Sequence, residues 1–207
     1  MALHGRAAWP GLRGGVLSAS YTCSHGDAPG VATLEIPVQD TAGIAATGTL
    51  TLWDGENPPV RLRDARCGPV QLTADRSRLV LHILDRRWRW RFGGVSGWYN
   101  QADPYPDPRP PGAFLGRPGQ SEFIPGTERT PRQLMALCLR AMNETQGVLY
   151  GAVPNDARPP VDWQAVNPAQ ALQAVADQVS CRLVFQPCRN GVFVTQLSAP
   201  TDVVALP

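Results

Sequence analysis

The side chains that could do chemistry in this chain are few, and one loop brings several of them together. Cys23, His25 and Asp27 lie within five residues, so a nucleophile, a base and an acid are close in sequence. His25 and Asp27 together are a weak indication of a metal site. Because glycine, serine and proline surround them, a loop turn explains this group better than catalysis or metal binding.

The other candidate residues are better explained as packing residues. His82 alternates within a predicted strand, and Cys138 lies on the apolar face of a predicted helix. The sequence contains no HExxH, no GxSxG, no glycine-rich phosphate loop and no CxxC, and its 5 cysteines are an odd number. We therefore expect no catalytic activity, no cofactor and no metal site, and cysteines that are reduced and mostly buried.

The highest density of aromatic residues is in residues 83–100, ILDRRWRWRFGGVSGWYN. Arginine and aromatic residues alternate from Arg87 to Phe92, and alternation with period two predicts a strand with two unlike faces. Rings and guanidinium groups would then lie on opposite faces and could not grip one base and its phosphate, so we expect no nucleic-acid binding. The residues assigned to the core are Trp88, Trp90, Phe92, Trp98 and Trp163.

The composition indicates a soluble chain made in the cytoplasm. Of its 207 residues 43% are hydrophobic, which is enough for a core, yet no stretch resembles a membrane helix or a signal peptide. The net charge of +2 is too small to indicate a polyanionic partner, although all 19 basic residues are arginine. The 20 glycines and 21 prolines favour short strands, turns and extended segments.

Short alternating runs up to residue 100 predict a β-barrel or sandwich, because turn residues such as Asp54-Gly55 separate them. Residues 1–15 are rich in glycine and are expected to be poorly ordered or bound to a partner. The predicted strands are 16–22, 31–38, 47–53, 60–65, 70–73, 79–84 and 95–99.

Residues 101–129 differ in composition from the rest of the chain. They contain 7 prolines and 4 glycines, which prevents ladders and helices and favours polyproline-like extension. They also carry large apolar side chains, which a merely flexible linker would lack. These are Tyr105, Phe114, Leu115, Phe123 and Ile124, and we assign them to partner binding. Two interpretations stay open: an arm that docks on a neighbouring subunit, or a long loop folded over its own barrel.

An α+β unit is predicted from residue 130 onward. The capping box that starts at Thr130, with proline at the first helical position, begins a helix that ends near Thr145. Asn167 starts a second amphipathic helix, and Asn190-Gly191 is a hairpin turn between two short strands.

The predicted fold class is therefore α+β, mainly β. Its domains are a β-barrel-like part over residues 1–100, a proline-rich extended arm over 101–129, and a helix–helix–strand–strand unit over 130–207.

Several segments resemble those of one protein family. They are DRRWRW (85–90), GWYN (97–100), TPRQLMALCLRAM (130–142), PNDARPPVDW (154–163) and NPAQALQAVADQVSCRLV (167–184). These segments are similar to tail-tip, or baseplate hub, proteins of tailed bacteriophages and related prophages, and none is a catalytic motif. The resemblance covers roughly residues 79–197.

The resemblance implies a structural protein with β-barrel domains arranged as a ring around the tail axis, joining the tail tube to the tip. It implies as partners the tail tube or distal tail protein, tip or fibre proteins, and further copies of the chain in a homo-oligomer, expected to be a trimer. The location it implies is the tail tip of the virion, reached after assembly in the host cytoplasm, with no stable membrane insertion.

Two other functions compete with this one. A carbohydrate- or cell-wall-binding module would use Trp88, Trp90, Trp98 and Trp163 as stacking platforms, and would require several of them to be exposed and coplanar. A cell-wall hydrolase would use the Cys23–Asp27 loop.

Overall fold

Short β-strands make up most of the fold, whose class is α+β and mainly β. The structure is a computed structural model that describes residues 6–53, 55, 58–102, 123–124, 126–144, 149–150, 153–186 and 191–196. In these residues the elements are β1 (Arg6–Ala8), β2 (Ser18–Thr22), β3 (Val31–Pro37), β4 (Thr47–Trp53), β5 (Val60–Cys67), β6 (Gln71–Leu72), β7 (Arg78–Leu84), a 3-10 helix (Arg86–Arg91), β8 (Val95–Tyr99), α1 (Pro131–Ala141), β9 (Leu149–Tyr150), β10 (Val161–Val166), α2 (Pro168–Gln178), β11 (Cys181–Gln186) and β12 (Gly191–Gln196).

One antiparallel sheet contains the first seven strands. Its order is β1-β4-β5-β7-β3-β2, with β6 paired to β7, and it is not closed. Alternate side chains of the strands point to the same face and form the first core, in which Leu34, Leu50, Leu62 and Leu81 are almost completely buried. The alternating runs of the sequence thus give these strands near their predicted positions.

Residues 6–9 are more ordered than the sequence predicts. β1 pairs with β4 in antiparallel register. Trp9, directly after β1, is buried in the first core, and its indole N–H donates to the carbonyl oxygen of Ala45 at 2.9 Å. Strand pairing and one buried tryptophan therefore hold a segment whose glycines suggested disorder.

The arginine–aromatic stretch is not a strand, so that prediction is wrong. The 3-10 helix begins after Asp85, whose carboxylate accepts a hydrogen bond from the Arg87 amide. Because such a helix has three residues per turn, Arg87 and Trp90 lie on its inner side, and both are buried. The cap and the burial of an arginine outweigh the alternation of the sequence.

The second core contains both α-helices. It also includes residues of β8, β10, β11 and β12, and Trp90 of the 3-10 helix packs in it. The helices begin at the predicted caps: Thr130 forms a capping box with Gln133, and Asn167 accepts from the first amides of α2. β10, which the sequence did not predict, pairs with β8, while β9 pairs in parallel with β12.

Candidate functional site

A buried polar cluster centred on Asp85 lies between the two cores. Asp85 is 0% exposed, and its Oδ2 accepts hydrogen bonds from the Gly30 amide at 2.7 Å and the Tyr21 hydroxyl at 3.1 Å. A Cβ at position 30 would lie 2.8 Å from Asp85 Oδ2 and 2.7 Å from the Tyr21 hydroxyl, so only glycine fits there. Burial and the charge of Asp85 raise the pKa of Tyr21, which keeps its hydroxyl a donor.

Arg87 neutralises Asp85 and connects the two cores. Its Nη2 donates to Asp85 Oδ2 at 2.8 Å, and its Nη1 donates to the carbonyl oxygens of Ser24 at 2.9 Å and Gly26 at 3.0 Å. The same guanidinium lies 4.6 Å from the ring centroid of Phe185 in β11. One side chain thereby holds a loop of the first sheet against a strand of the second core.

A second buried carboxylate, Glu144, holds the 3-10 helix from the other side. Its two oxygens accept from the Arg86 guanidinium, and its Oε1 also accepts from the Trp90 indole at 3.1 Å. Arg89 Nη2 lies 3.6 Å from Glu144 and 3.6 Å from Asp64 of β5, so it faces an acid from each part of the molecule. Burial and the neighbouring Arg89 lower the pKa of Arg86.

The arrangement of Asp85 and Glu144 suits structural fixation. The carboxylates are 0% and 1% exposed, and every one of their oxygens accepts a hydrogen bond from the chain. Separating such pairs would leave an uncompensated charge in apolar surroundings. The geometry therefore favours one relative arrangement of the two cores. We call the group of residues that holds it, Asp85, Arg86, Arg87 and Glu144, the junction.

The sequence-predicted chemical residues do not form one site. Cys23 is exposed, and its Sγ accepts from Arg87 at 3.2 Å, while His25 is exposed in the same loop. His82 Nδ1 lies 3.3 Å from the Thr33 hydroxyl. Cys138 is fully buried, and burial raises the pKa of its thiol to about 12.

The described ranges contain neither a metal cluster nor a membrane helix. No group of three or more His, Cys, Asp or Glu side chains there could hold a metal ion. No helix in those ranges is long and apolar enough to cross a membrane.

Four residues form a surface that we call the basic-aromatic patch: Arg66, Trp88, Arg91 and Phe92. The guanidinium carbon of Arg66 lies 4.8 Å from the Trp88 ring centroid, and that of Arg91 lies 5.5 Å from the Phe92 centroid. The Trp88 and Phe92 rings meet edge to face, with centroids 5.8 Å apart. The premise that arginines and rings point to opposite faces is therefore wrong, because the stretch is a helix.

The predicted core tryptophans and Phe92 differ in burial. Trp90 and Trp163 are 1% and 6% exposed and Trp88 is partly buried, whereas Phe92 and Trp98 are 54% and 48% exposed. A buried ring was expected at all five positions, and it is not found at Phe92 or Trp98. Phe92 follows the last turn of the 3-10 helix, and Trp98 lies on the face of the β8–β10 ribbon that does not pack on the core.

A third feature, which we call the stem, is built around Asn100. This residue is 2% exposed and adopts a φ of 54°. Its Nδ2 donates to the carbonyl oxygens of Arg129 at 2.9 Å and Pro159 at 2.8 Å, and its Oδ1 accepts from the Arg129 amide at 2.6 Å. Ala102 and Phe123 face each other in an antiparallel bridge. Ala102 and Phe123, the residues on either side of segment 103–122, are therefore neighbours in the fold.

The predicted partner-binding residues are placed only in part. Phe123 and Ile124 lie in the stem and are half-buried, and the Ile124 amide donates to the Gln101 carbonyl at 2.9 Å. The other three, Tyr105, Phe114 and Leu115, lie outside the described residues.

The fold resembles solved structures of tail proteins. The tail protein from Neisseria meningitidis MC58 matches with a TM-score of 0.51 and 13% identity, over 95% of this chain and 47% of that one. The prophage tail protein gp18 from Listeria monocytogenes EGD-e gives a TM-score of 0.44 and 7% identity, over 93% of this chain and 50% of that one. The chain thus spans about half the length of both, and the similarity concerns the fold. No protein-family model and no curated protein matches the chain.

Sequence reasoning missed Asp85, Glu144 and Asn100 as the residues that organise the junction and the stem. The signal for Asp85 was present, since aspartate is one of the residue types preferred at helix N-caps. Asn100 follows a predicted strand, and asparagine is one of the few residues that tolerates a positive φ. Glu144 gave no signal, because its partners are more than fifty residues away in sequence.

Proposed function

We propose that the chain is a structural component of a bacteriophage tail, located at the tail tip as part of the baseplate hub that joins the tail tube to the tip. The observation that carries this proposal is the fold similarity to a tail protein over 95% of the chain. The resemblance of the DRRWRW and GWYN segments supports it from the sequence.

The junction supports an assembly role. A component of a ring around the tail axis must present its surfaces at fixed angles, and Asp85 with Arg87 and Glu144 with Arg86 hold the two cores in one arrangement. In this proposal residues 1–100 and 130–207 are the two domains. Trp90 and Val95 lie within the first range but pack in the second core, so the domains share the junction.

Residues 101–129 are the arm in this proposal. Their five large apolar side chains bind a neighbouring subunit, and the stem supports this because both ends of the segment are pinned at Asn100. The proposed partners are the tail tube or distal tail protein, tip or fibre proteins, and further copies of the chain in a trimer.

The test is the location of the chain in particles. We expect an affinity tag on the chain to be found at the tail tip of purified particles by gold labelling, and deletion of its gene to give particles without a complete tip. Particles with normal tips that contain no copy of the chain would refute the proposal.

The structure gives the carbohydrate-binding alternative little support. Carbohydrate stacking requires several exposed, coplanar tryptophans, whereas Trp90 and Trp163 are buried and Trp98 alone among the four is strongly exposed. For the hydrolase, we expect His25→Ala, Asp27→Ala and Cys138→Ser to leave particle infectivity and cell-wall lysis unchanged. A large loss of lysis in one of the loop variants would favour the hydrolase.

A further inference from the structure

The basic-aromatic patch carries two arginines that no acid pairs with locally. Arg66 and Arg91 are exposed, and no carboxylate among the described residues forms an ion pair with either. Each guanidinium is stacked on an aromatic ring, which restricts its plane and leaves its N–H edges to other groups. Arginines held in this way bind carboxylates in short, charge-assisted hydrogen bonds.

The patch continues into a cavity. Trp88 and Arg91 line a space of about 250 Å³, together with Ala28, Pro29, Leu84 and the acidic residue Asp27. That volume holds one aromatic side chain. A matching partner therefore combines an apolar or aromatic side chain for the cavity with carboxylates for the two patch arginines.

The chain itself contains such a sequence. Residues 103–107 read Asp-Pro-Tyr-Pro-Asp, so two carboxylates flank one tyrosine. Proline after Asp103 and after Tyr105 favours an extended backbone, and a five-residue extended segment spans about 12 Å between its ends. The patch arginines are linked through ring contacts of 4.8, 5.8 and 5.5 Å, and these contacts set an upper limit to the distance between the two guanidinium groups.

We propose that the patch binds residues 103–107 of a second copy of the chain, with Asp103 and Asp107 on the patch arginines and Tyr105 in the adjacent cavity. This deepens the arm hypothesis of the proposed function, because it names the surface on which the arm docks. Trp, Phe and Arg are also residue types that are enriched at protein interfaces.

The geometry of β8 favours a second copy over the same chain. The patch precedes β8 and the stem follows it, so the length of this five-residue strand, about 14 Å, separates Phe92 from the start of the arm. Asp103 is bonded to Ala102, which the bridge to Phe123 holds in the stem. A neighbouring chain is not restricted in this way and can bring both aspartates to the patch.

A protein segment fits the patch better than a nucleic acid does. The Asp64 side chain is 57% exposed, and its backbone carbonyl accepts the Trp88 indole N–H at 2.9 Å, so a negative charge lies beside the patch. That charge repels a continuous row of phosphates more than two separate carboxylates.

The absence of lysine from the chain permits a selective test. Arg66→Lys and Arg91→Lys each introduce the only lysine, and Arg182→Lys places one on the exposed side of β11 as a matched control. A mixture of ¹⁴N- and ¹⁵N-labelled purified chain is treated with a carbodiimide, which joins an amine to a carboxylate in direct contact. Mass spectrometry then identifies the joined peptides and their isotopes.

In the Arg66→Lys or Arg91→Lys variant we expect the introduced amine to be joined to the peptide that contains Asp103 and Asp107. This product should be absent from the Arg182→Lys control and lost when Asp103→Asn and Asp107→Asn are added. For contact between chains, about half of the joined pairs should carry mixed isotopes. If every joined pair of peptides carries a single isotope, the segment docks within its own chain. If the variants give no more joined product than the Arg182→Lys control, the patch is empty. Either result overturns the proposal.

A nucleic-acid ligand is tested with single-stranded oligothymidylate. If the chain binds it, if Arg66→Ala and Arg91→Ala abolish that binding, and if no joined peptides form, the proposal is overturned in favour of nucleic acid. Circular dichroism melting of each variant verifies the fold. The crosslinking experiment uses the isolated chain, so its result does not depend on where the chain lies in particles. Absence of the chain from tail tips would refute the proposed function but not the docking of residues 103–107 on the patch.

Discussion

Arg87 is a charged side chain that is almost completely removed from water, and removing a guanidinium from water is costly. Asp85 offsets that cost, together with two backbone carbonyls and the face of Phe185. The arginine is therefore stable at this position only while all these partners are in place, which couples one residue to both cores.

Truncating the Arg87 side chain should strongly destabilise the folded state. We expect Arg87→Ala to lower the free energy of unfolding by about 3–5 kcal/mol, because it leaves Asp85 buried without a counter-charge. Arg182→Ala, at an exposed position of β11, should change it by less than about 0.5 kcal/mol. Urea unfolding measures both. Equal effects of the two substitutions would mean that the buried pair does not stabilise the fold.

Cys138 gives a prediction on alkaline stability. Burial raises the pKa of its thiol from 9.0 to about 12, so the folded state keeps a proton that the unfolded state releases. The stability contributed by the neutral thiol is complete below pH 9 and is lost as the pH rises toward 12. The loss is about 1.4 kcal/mol per pH unit for one such group.

We therefore expect Cys138→Ala to be less stable than the wild type at neutral pH but to lose less stability between pH 9 and 12. Leu134→Ala on the same helix is the control, since it removes buried side-chain atoms but leaves the Cys138 thiol in place. Urea unfolding under reducing conditions across this pH range gives both slopes. Parallel slopes for the cysteine and leucine variants would contradict the assignment.

At the scale of elements, segments with a regular sequence pattern were predictable. Segments whose conformation depends on residues distant in sequence were not. The strands of the first sheet and both helices follow from alternation and capping residues, which act within a few residues of each other. The 3-10 helix was missed because its conformation depends on Arg87 meeting Ser24 and Gly26, more than sixty residues earlier. β10 was missed because apolar and polar residues alternate only from Val161 to Gln164, which is too short a run to predict a strand.

The two helix caps can be tested directly. Thr130 accepts from the Gln133 amide at 3.3 Å, and Asn167 accepts from the Ala169 amide at 2.9 Å. We expect Thr130→Ala and Asn167→Ala each to cost about 0.5–2 kcal/mol and to speed amide exchange in the first turn of the affected helix. Thr130→Ser, which keeps the hydroxyl, is the control. Unchanged exchange in the alanine variants would contradict the capping roles.

At the scale of the whole molecule, the junction provides polar contacts between the two cores. Covalent continuity does not fix their arrangement alone, because only one short helix passes between the sheet and the second core at this point. Additional ties are the Gly26 amide, which donates to the Leu183 carbonyl at 3.1 Å, and the Arg86–Glu144 pair. We expect both cores to retain structure if these ties are removed, because each has its own set of buried apolar side chains.

The buried ion pairs should couple the unfolding of the two cores. We expect the wild type to unfold in one calorimetric transition, and Arg87→Ala/Glu144→Gln to unfold in two, because Asp85 then lacks its cation and Arg86 faces a neutral amide. Glu128→Gln, which alters the partly exposed ion pair with Arg158, should keep the single transition. If the double variant instead melts in one transition at a lower temperature, the two cores are coupled by apolar packing around Trp90, and the buried carboxylates contribute stability without setting cooperativity.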